Sequence, residues 1–264
     1  MQLIRRVQLN DQQLDEIDSR VIITGVQEEA ARLNYSAVSR FGAPGQRVTG
    51  RHRDTLDVTV KFALRIKTND LAARSELFEK VAGWAMGGGW LKLNYRPNRR
   101  LRVECVTLPA AGDQVKWESE YEITFRAYGV PYWQQVTPST LTVNSTKAMN
   151  RTMEIPGTTK GVMDVSFENV SGMEISTLSI ETGDAEFAFK SLGLMANETL
   201  QIDHTAEGLL RIRIRSAAGS YRSAMSKRTE DSSDDLTVSP GTATVKLTAQ
   251  RAGKLTLSCY GRYV

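Results

Sequence analysis

Cysteine and histidine are scarce in this sequence, with two of each among 264 residues. Cys105 and Cys259 lie in different halves, within segments that alternate apolar and polar residues, which is typical of buried strand thiols rather than of a disulfide framework or a metal site. His52 and His204 also lie one in each half, and neither has a partner at a zinc-binding spacing. We expect unpaired thiols, surface histidines and no metal site.

Long hydrophobic runs are also missing. Met1 to Val7 is followed by Asn10, Asp11 and Gln12, so the start has no apolar core of signal-peptide length, and no later run could span a membrane. We expect a protein that stays in the cytoplasm until something carries it elsewhere, without membrane insertion. The net charge of +4, from 34 basic and 30 acidic residues, is too small to indicate sequence-specific nucleic-acid binding.

Motifs with a defined chemistry are absent as well. No Gly-x-Ser-x-Gly elbow joins a strand to a helix, so serine hydrolase chemistry has no support. Gly87 to Gly89 follows a predicted helix instead of opening one, which favours a flexible turn over a phosphate-binding loop. We predict no catalytic residues, no cofactor-binding residues and no enzyme activity.

Two charged clusters have both a structural and a functional interpretation. The acidic one could collect oxygen ligands for calcium, but it lacks the spacing of a known loop, so a solvated loop is favoured. The basic one could meet phosphate, but on a turn between strands it more simply keeps a sheet edge soluble. The clusters are Glu230, Asp231, Asp234 and Asp235, and Arg96, Arg99, Arg100 and Arg102.

Alternation of apolar and polar residues with a period of two is the dominant pattern. It runs from Leu56 to Ile66 and again from Trp117 to Ala127, and each run predicts a strand with one wet face. We expect both strands in one antiparallel sheet, with opposite charges on their wet faces supporting the pairing. Trp117 and Tyr121 are expected to pack in the core.

One helix is predicted between these strands, from about Asp70 to Met86, with Asn69 placed to cap it and Gly87 to end it. A short strand, a turn at Arg96 to Asn98 and a further strand through Cys105 should follow. The apolar stripe of the helix, which would lie on the sheet, comprises Leu71, Leu77, Phe78, Val81, Trp84 and Ala85.

A length of 264 residues favours two domains. Residues 134–140 are polar and without pattern, so we interpret them as a linker between domains 1–133 and 141–264. Many short strands and no helix in the second domain indicate a β-sandwich of the jelly-roll type. These strands contain Val165 with Phe167, Phe187 with Phe189, Leu200 with Ile202, Leu210 with Ile212 and Ile214, Val245 with Leu247, and Leu255 with Leu257 and Cys259.

Several segments share one further property, since each places a turn signal beside apolar alternation. They are Leu56 to Ile66, the helix into Trp84, Leu91 to Arg100, Ala127 to Trp133, Leu192 to Asp203, Leu236 to Thr242 and Tyr260 to Tyr263. Taken in this order and spacing, they resemble the distal tail protein family of siphophages, the hub at the tip of the tail tube. The ending Pro131-Tyr132-Trp133 is similar to the usual close of that family's first domain.

The resemblance implies a mainly β fold: an N-terminal ring-forming β-sandwich with one α-helix and a projecting hairpin, then a C-terminal galectin-like jelly-roll sandwich. It also implies a homohexameric ring that joins the tail tube protein to a baseplate or tail-associated hub protein, with the tape measure protein as a further partner. By this resemblance, the protein is expected to be a structural virion protein at the tail tip, assembled in the host cytoplasm. The family brings no catalytic residues.

The segment from Gln27 to Arg53 fits the projecting hairpin, because it mixes glycine and proline with many arginines and shows little periodicity. Such an arm cannot bury its own apolar groups, so we expect it to dock on a neighbouring subunit. Its apolar groups are Tyr35, Val38, Phe41 and Val48, and its arginines Arg32, Arg40, Arg47, Arg51 and Arg53 would meet acidic partners such as Glu118, Glu120 or Glu122.

Two other function classes compete with the hub. The first is a carbohydrate-binding, lectin-like module for attachment to the host wall, although a galectin-like shape does not by itself imply a sugar site. The second is a glycan-cleaving enzyme, which would need two carboxylates about 5 to 10 Å apart in a cleft. No pair of acidic residues in the sequence is forced into that arrangement.

Overall fold

A computed structural model describes residues 6–29, 32–39, 44–66, 70–109 and 120–264. The chain divides into two compact units, Met1–Trp133 (unit 1) and Gln134–Val264 (unit 2). Both are built from antiparallel strands, so the predicted mainly β class is confirmed. Strands occupy Trp133–Gln135 and Ser139–Ser145, and only residues 136–138 of the predicted linker lie outside a strand.

In its described residues, unit 1 contains an antiparallel sheet, two helices and a separate hairpin. Its elements are Val7–Leu9 (β1), Gln12–Gln13 (β2), Leu14–Ile17 (α1), Val21–Glu28 (β3), Leu33–Ser39 (β4), Gln46–Arg53 (β5), Leu56–Leu64 (β6), Leu71–Met86 (α2), Gly89–Leu93 (β7), Arg99–Thr107 (β8) and Glu120–Ala127 (β9). The strand order in the sheet is β2-β1-β7-β8-β9-β6-β3. The sequence analysis missed α1, which is only one turn long.

Strand β8 pairs with β7 through its first half and with β9 through its second half. The change of partner falls between Val103, which faces Gly89 of β7, and Glu104, which faces Arg126 of β9. A strand that passes from one set of partners to another is the usual corner of a β-sandwich. We therefore interpret β8 as the corner strand of unit 1.

The two strongest alternating runs pair with each other, as predicted. β6 and β9 are antiparallel from Leu56, opposite Ala127, to Ala63, opposite Glu120. On the wet face, Arg126 donates two hydrogen bonds to Asp57, at 2.7 and 2.6 Å. Farther along the same strands, Lys61 and Glu122 form an ion pair, Nζ to Oε1 2.9 Å. Trp117 lies outside the described residues.

The helix α2 forms where it was predicted and packs on the sheet through one stripe. Asp70 caps it, since its carboxylate accepts a hydrogen bond from the Ala73 amide at 2.9 Å, whereas Asn69 lies outside the described residues. The stripe differs from the prediction at its start, because Leu71 is 63% exposed while Arg74 is buried. The buried residues are Arg74, Leu77, Phe78, Val81 and Ala85.

Gly88 and Gly89 form a tight connection from α2 into β7. Gly88 and Gly89 both have positive φ, +56° and +139°. Asn10 lies against them: its amide donates to the Gly88 carbonyl at 3.2 Å, and its side-chain oxygen accepts from the Trp90 amide at 3.0 Å. A Cβ on Gly89 would collide with the Asn10 side chain, so only glycine fits there.

A hairpin of β4 and β5 separates β3 from β6. These two strands form a two-stranded sheet of their own, from Leu33 opposite Arg53 to Ser39 opposite Gln46. The Asp54 amide donates to the Arg32 carbonyl at 2.9 Å and closes its base. The predicted arm is thus a hairpin, although its first residues, at the level of Gln27, belong to β3.

Unit 2 is the predicted sandwich of two main sheets. Its further strands are Ser139–Ser145 (β11), Ala148–Ile155 (β12), Gly161–Asn169 (β13), Leu178–Glu181 (β14), Glu186–Phe189 (β15), Thr199–His204 (β16), Leu210–Arg215 (β17), Tyr221–Ser223 (β18), Thr237–Val238 (β19), Gly241–Ala249 (β20), Gly253–Cys259 (β21) and Arg262–Tyr263 (β22), with β10 the boundary strand Trp133–Gln135. One sheet has the order β11-β21-β13-β16-β17-β18, with β19 beside β13, and the other β12-β20-β14-β15. A 3-10 turn covers Met225–Lys227.

The inner faces of these two sheets form the core of unit 2. Phe167 and Leu257 come from one sheet, Phe187 and Val245 from the other, and all four are fully buried. Every strand that the sequence predicted in this half contributes its named apolar residues to this core, because strict alternation left one apolar face on each.

Gly253, the first residue of β21, tests how tightly this core is packed. A Cβ there would collide with the fully buried Phe167 ring and lie 2.7 Å from the Glu168 carbonyl oxygen. We expect Gly253→Ala to lower the free energy of unfolding by about 1–3 kcal/mol, the usual cost of overpacking a core. Urea unfolding followed by far-UV circular dichroism measures it.

Gly183→Ala is the matched control, because a Cβ at Gly183 has no heavy atom within 4 Å. It should leave the unfolding midpoint within experimental error of the native protein. Equal midpoints for Gly183→Ala and Gly253→Ala would contradict this description of the packing.

Candidate functional site

The described residues contain few side chains that could bind a metal ion or act in catalysis. No group of three or more His, Cys, Asp or Glu side chains among them is arranged to bind a metal ion. No helix in the described part of the chain is long and apolar enough to cross a membrane. The two histidines differ in surroundings: His52 is exposed on β5 of the hairpin, as predicted, whereas His204 is not at the surface.

His204 is the main correction to the sequence analysis. It ends β16, its side chain is 6% exposed, and two carboxylates contact it. Nδ1 lies 2.8 Å from Oδ1 of Asp164 on β13, and Nε2 lies 2.6 Å from Oδ1 of Asp235, which precedes β19. We call these three residues the histidine clamp. The burial of His204, though not its partners, could have been predicted from the sequence, because His204 continues the alternation of the buried Leu200 and Ile202.

The clamp requires a protonated imidazole. Ionised carboxylates only accept hydrogen bonds, so both ring nitrogens of His204 must donate. Burial opposes the charged ring, but the hydrogen bonds and charges of Asp164 and Asp235 outweigh burial and raise the pKa of His204 to about 9. Burial also acts on Asp235, yet the His204 hydrogen bond lowers the pKa of that carboxyl.

This arrangement is structural. A general acid or base needs a ring nitrogen that can reach a substrate, and both nitrogens of His204 are occupied. The clamp instead joins β13, β16 and the segment before β19. Arg262 adds a favourable charge near Asp235. The acidic cluster of the sequence analysis is thus partly tied down, through Asp235, and is not wholly a solvated loop.

Neither thiol is poised for reaction. Cys259 is fully buried in β21, and burial raises its pKa to about 12. Cys105 on β8 is half-buried, with a pKa also raised by burial, and its Sγ lies 3.5 Å from the Thr107 carbonyl oxygen. Both cysteines are free, as predicted, although Cys105 is not fully buried.

The basic cluster near the β7–β8 turn is engaged within unit 1. The guanidinium of Arg96 donates to Glu28 at 2.9 Å and lies 5.0 Å from the Trp133 ring centroid. Arg100 lies over the Trp90 ring at 4.0 Å. These contacts support the structural interpretation of the cluster over phosphate binding.

The hairpin β4–β5 carries the most unusual surface of unit 1. Four of its apolar side chains are half or more exposed, Leu33 50%, Tyr35 56%, Val38 56% and Val48 56%, and Phe41 lies outside the described residues. Residues opposite one another share a face, so the pairing of Ala37 with Val48 places Leu33, Tyr35 and Val48 on one side. An isolated two-stranded hairpin is only marginally stable in water, so this face is suited to packing against another surface.

The acidic partners expected for the arm already have partners in the same chain. Glu122 pairs with Lys61, and Glu120 accepts a hydrogen bond from the Thr24 hydroxyl. Glu118 lies outside the described residues, as does Arg40. The apolar face of the hairpin therefore provides a stronger basis for docking than the predicted arginine–glutamate pairs.

Comparisons with known proteins give a match in fold only. No family model matches the chain, and no curated protein matches it in sequence. Among solved structures, it is similar to the Dit protein of phage SPP1, described as a paradigm of the hub adsorption apparatus in phages that infect Gram-positive hosts. The TM-score is 0.67 at 12% identity, over 99% of this chain and 100% of that one. A chain of the phage p2 baseplate in its activated conformation with Sr matches with a TM-score of 0.50 at 7% identity, over 97% and 98%.

These matches confirm the fold that the sequence resemblance implied. The SPP1 match spans both units of this chain. At such low identity the comparison carries the fold and no individual residue.

The histidine clamp should make stability fall at alkaline pH. The pKa of His204 is raised from 6.5 to about 9, so the clamp's contribution is complete below pH 6.5 and is lost as the pH rises through about 9. The gap between these values corresponds to roughly 3 kcal/mol. We expect the thermal midpoint of the native protein to drop between pH 7 and 10, and that of His204→Gln to be lower at pH 7 and to change less.

His52→Gln is the matched control, since it removes the other histidine from an exposed position. Its midpoint should follow the native curve at every pH. If His204→Gln shows the same alkaline loss as the native protein, His204 is not held as the charged form.

Proposed function

We propose that this chain is the distal tail subunit of a long-tailed bacteriophage, a structural virion protein of the tail-tip hub. The observation that carries the proposal is the fold shared with the SPP1 hub protein over the full length of both chains. A match that covers both units is more specific than a match to one sandwich domain, because single sandwich domains occur in many unrelated proteins. Its role would be geometric, so no catalytic group is needed.

The finer part of the proposal is a homohexameric ring formed by unit 1, with unit 2 as a separate sandwich. One face of the ring would bind the tail tube protein, and the other a baseplate or tail-associated hub protein, with the tape measure protein passing nearby. In a closed ring the same head-to-tail contact repeats, so each subunit offers one hairpin and one acceptor surface. The exposed apolar face of the hairpin supports this arrangement.

A lectin-like module is the second candidate. It is favoured by one observation, a shallow pocket on the outer face of β13, β16 and β21 in unit 2, whose lining includes Ser166, Gln201 and Thr256. Such a module can act as a monomer, whereas a hub forms a ring, so the mass of the particle in solution distinguishes the two functions. The two functions are compatible in one protein if the ring forms and unit 2 also binds sugar.

The ring gives a direct prediction. Size-exclusion chromatography with light scattering should show a particle of six times the protomer mass of 29.3 kDa. Negative-stain electron micrographs should show rings with a central opening. A monodisperse monomer at every concentration, in the presence and absence of the phage's tail tube protein, would refute the ring.

The hairpin should be needed for the ring and dispensable for folding. We expect deletion of Tyr35 to Gly50, with Asn34 joined to Arg51 through two glycines, to leave a folded monomer, because β4 and β5 pair only with each other among the described strands. Circular dichroism and thermal melting report folding, and light scattering reports mass.

A milder variant guards against unfolding of the deletion. Tyr35→Ser with Val48→Ser removes the apolar face and keeps the backbone. It should raise the protein concentration at which half of the subunits are in rings at least tenfold. Leu209→Ser, at an exposed apolar position of unit 2, should have no effect. Full rings from both hairpin variants would show that the hairpin does not hold the ring.

A further inference from the structure

Each of the two main sheets of unit 2 ends in two edge strands, and a strand at an edge leaves the backbone groups along one side unpaired within its sheet. The larger sheet ends in β11 and β18, and the smaller one in β12 and β15. Natural proteins prevent such edges from pairing with other chains by covering or shortening them, or by placing charges, proline or bulges on them. Three of these four strands are protected in one of these ways.

The edge of β15 is covered by the segment that follows the 3-10 turn. The Thr229 amide donates to the Ala188 carbonyl at 2.9 Å. The Ser233 amide donates to the Glu186 carbonyl, also at 2.9 Å. The Ala188 amide in turn donates to the Ser232 hydroxyl at 3.0 Å. Backbone groups of Glu186 and Ala188 therefore have partners outside the sheet.

The edge strands β12 and β18 carry charged side chains. β12 includes Arg151 and Glu154, and both are exposed. β18 is three residues long and carries Arg222, whose guanidinium donates to Glu198. Charged side chains on an edge oppose the approach of another strand, because the approach would remove water from them.

The fourth edge strand, β11, has none of these protections. Its seven residues, Ser139–Ser145, include no charged residue and no proline. β11 pairs with β21 in an unbroken register without a bulge, and no other described strand pairs with it. Leu141 and Val143 pack against the core of unit 2 but are only half-buried. β11 is therefore an unprotected edge with apolar surface that a further strand would cover.

The sequence of β11 is a palindrome in polarity. Read from either end, it has serine first, a polar residue second and an apolar residue third, with Thr142 at the centre. Two copies of β11 are thus matched for antiparallel pairing about a two-fold axis at Thr142. Leu141 then lies opposite Val143 of the second copy on the inner face, and Thr140 lies opposite Asn144 of the second copy on the outer face. Apolar residues meet apolar residues and polar residues meet polar ones.

We propose that two copies of this chain associate through β11 and so continue the larger sheet from one unit 2 into the other. The contact adds backbone hydrogen bonds along the edge and covers Leu141 and Val143. A single pair of short strands is a small interface, so the association depends on protein concentration. The contact goes beyond the hub role. Neighbours in a six-membered ring are related by a sixth of a turn, so a two-fold contact at β11 joins copies from different rings.

A charge placed on the two-fold axis tests the proposal, because residue 142 of one copy faces residue 142 of the other. Thr142→Lys sets two ammonium groups opposite each other and Thr142→Glu two carboxylates, and like charges directly opposite destabilise a strand pair. Light scattering of the native full chain should show a doubling of mass as the concentration rises. Each variant should need at least a tenfold higher concentration to double. An equimolar mixture of the two variants should regain the native behaviour, because a lysine then faces a glutamate.

Thr152→Lys, at an exposed threonine of β12, is the matched control and should double in mass like the native protein. Circular dichroism confirms that each variant is folded. The proposal is overturned if the native protein never exceeds the mass of Thr142→Lys, or if it forms aggregates of no fixed mass. Variants that fail to double and do not recover on mixing would also overturn it, since β11 would then not face itself.

The outcome is independent of the hub proposal, because the doubling is measured relative to the particle that Thr142→Lys forms. Rings that do not double would remove this inference and leave the hub proposal standing. Monomers that double, but form no ring, would do the reverse.

Discussion

Each long strand in this protein can bury only one of its two faces, and the rest of the structure depends on that constraint. Val60 and Phe62 in unit 1, and Phe167 and Leu257 in unit 2, are fully buried at alternate positions. Their neighbours must then point to water or to another molecule. The ion pairs between β6 and β9 and the pocket of unit 2 lie on those second faces.

Alternation also decides what could be predicted from the sequence. It predicted that β6 and β9 pair, with opposite charges on their wet faces, and it identified six strands of the unit 2 core. It missed β11 and β12, because Ser139–Ser145 and Ala148–Ile155 are mostly polar and become strands only through their partners β21 and β20. Such pairing is tertiary information, since the partners lie about a hundred residues away along the chain.

The site was harder to predict than the fold for the same reason. His204 meets Asp164 and Asp235 from positions 40 and 31 residues away, so no local spacing reveals the clamp. The pocket likewise takes its side chains from three strands whose order in the sheet does not follow the sequence. By contrast, the exposed hairpin was predictable, because its lack of periodicity is a local property.

The pairing of β11 with β21 also has a mechanical consequence. These strands run antiparallel from Ser139 opposite Cys259 to Ser145 opposite Gly253, so the chain enters and leaves this pair at the same end. Their hydrogen bonds lie across the strands. A pull on both ends of unit 2 would therefore open the bonds one pair after another, like a zipper, instead of loading all seven residue pairs together.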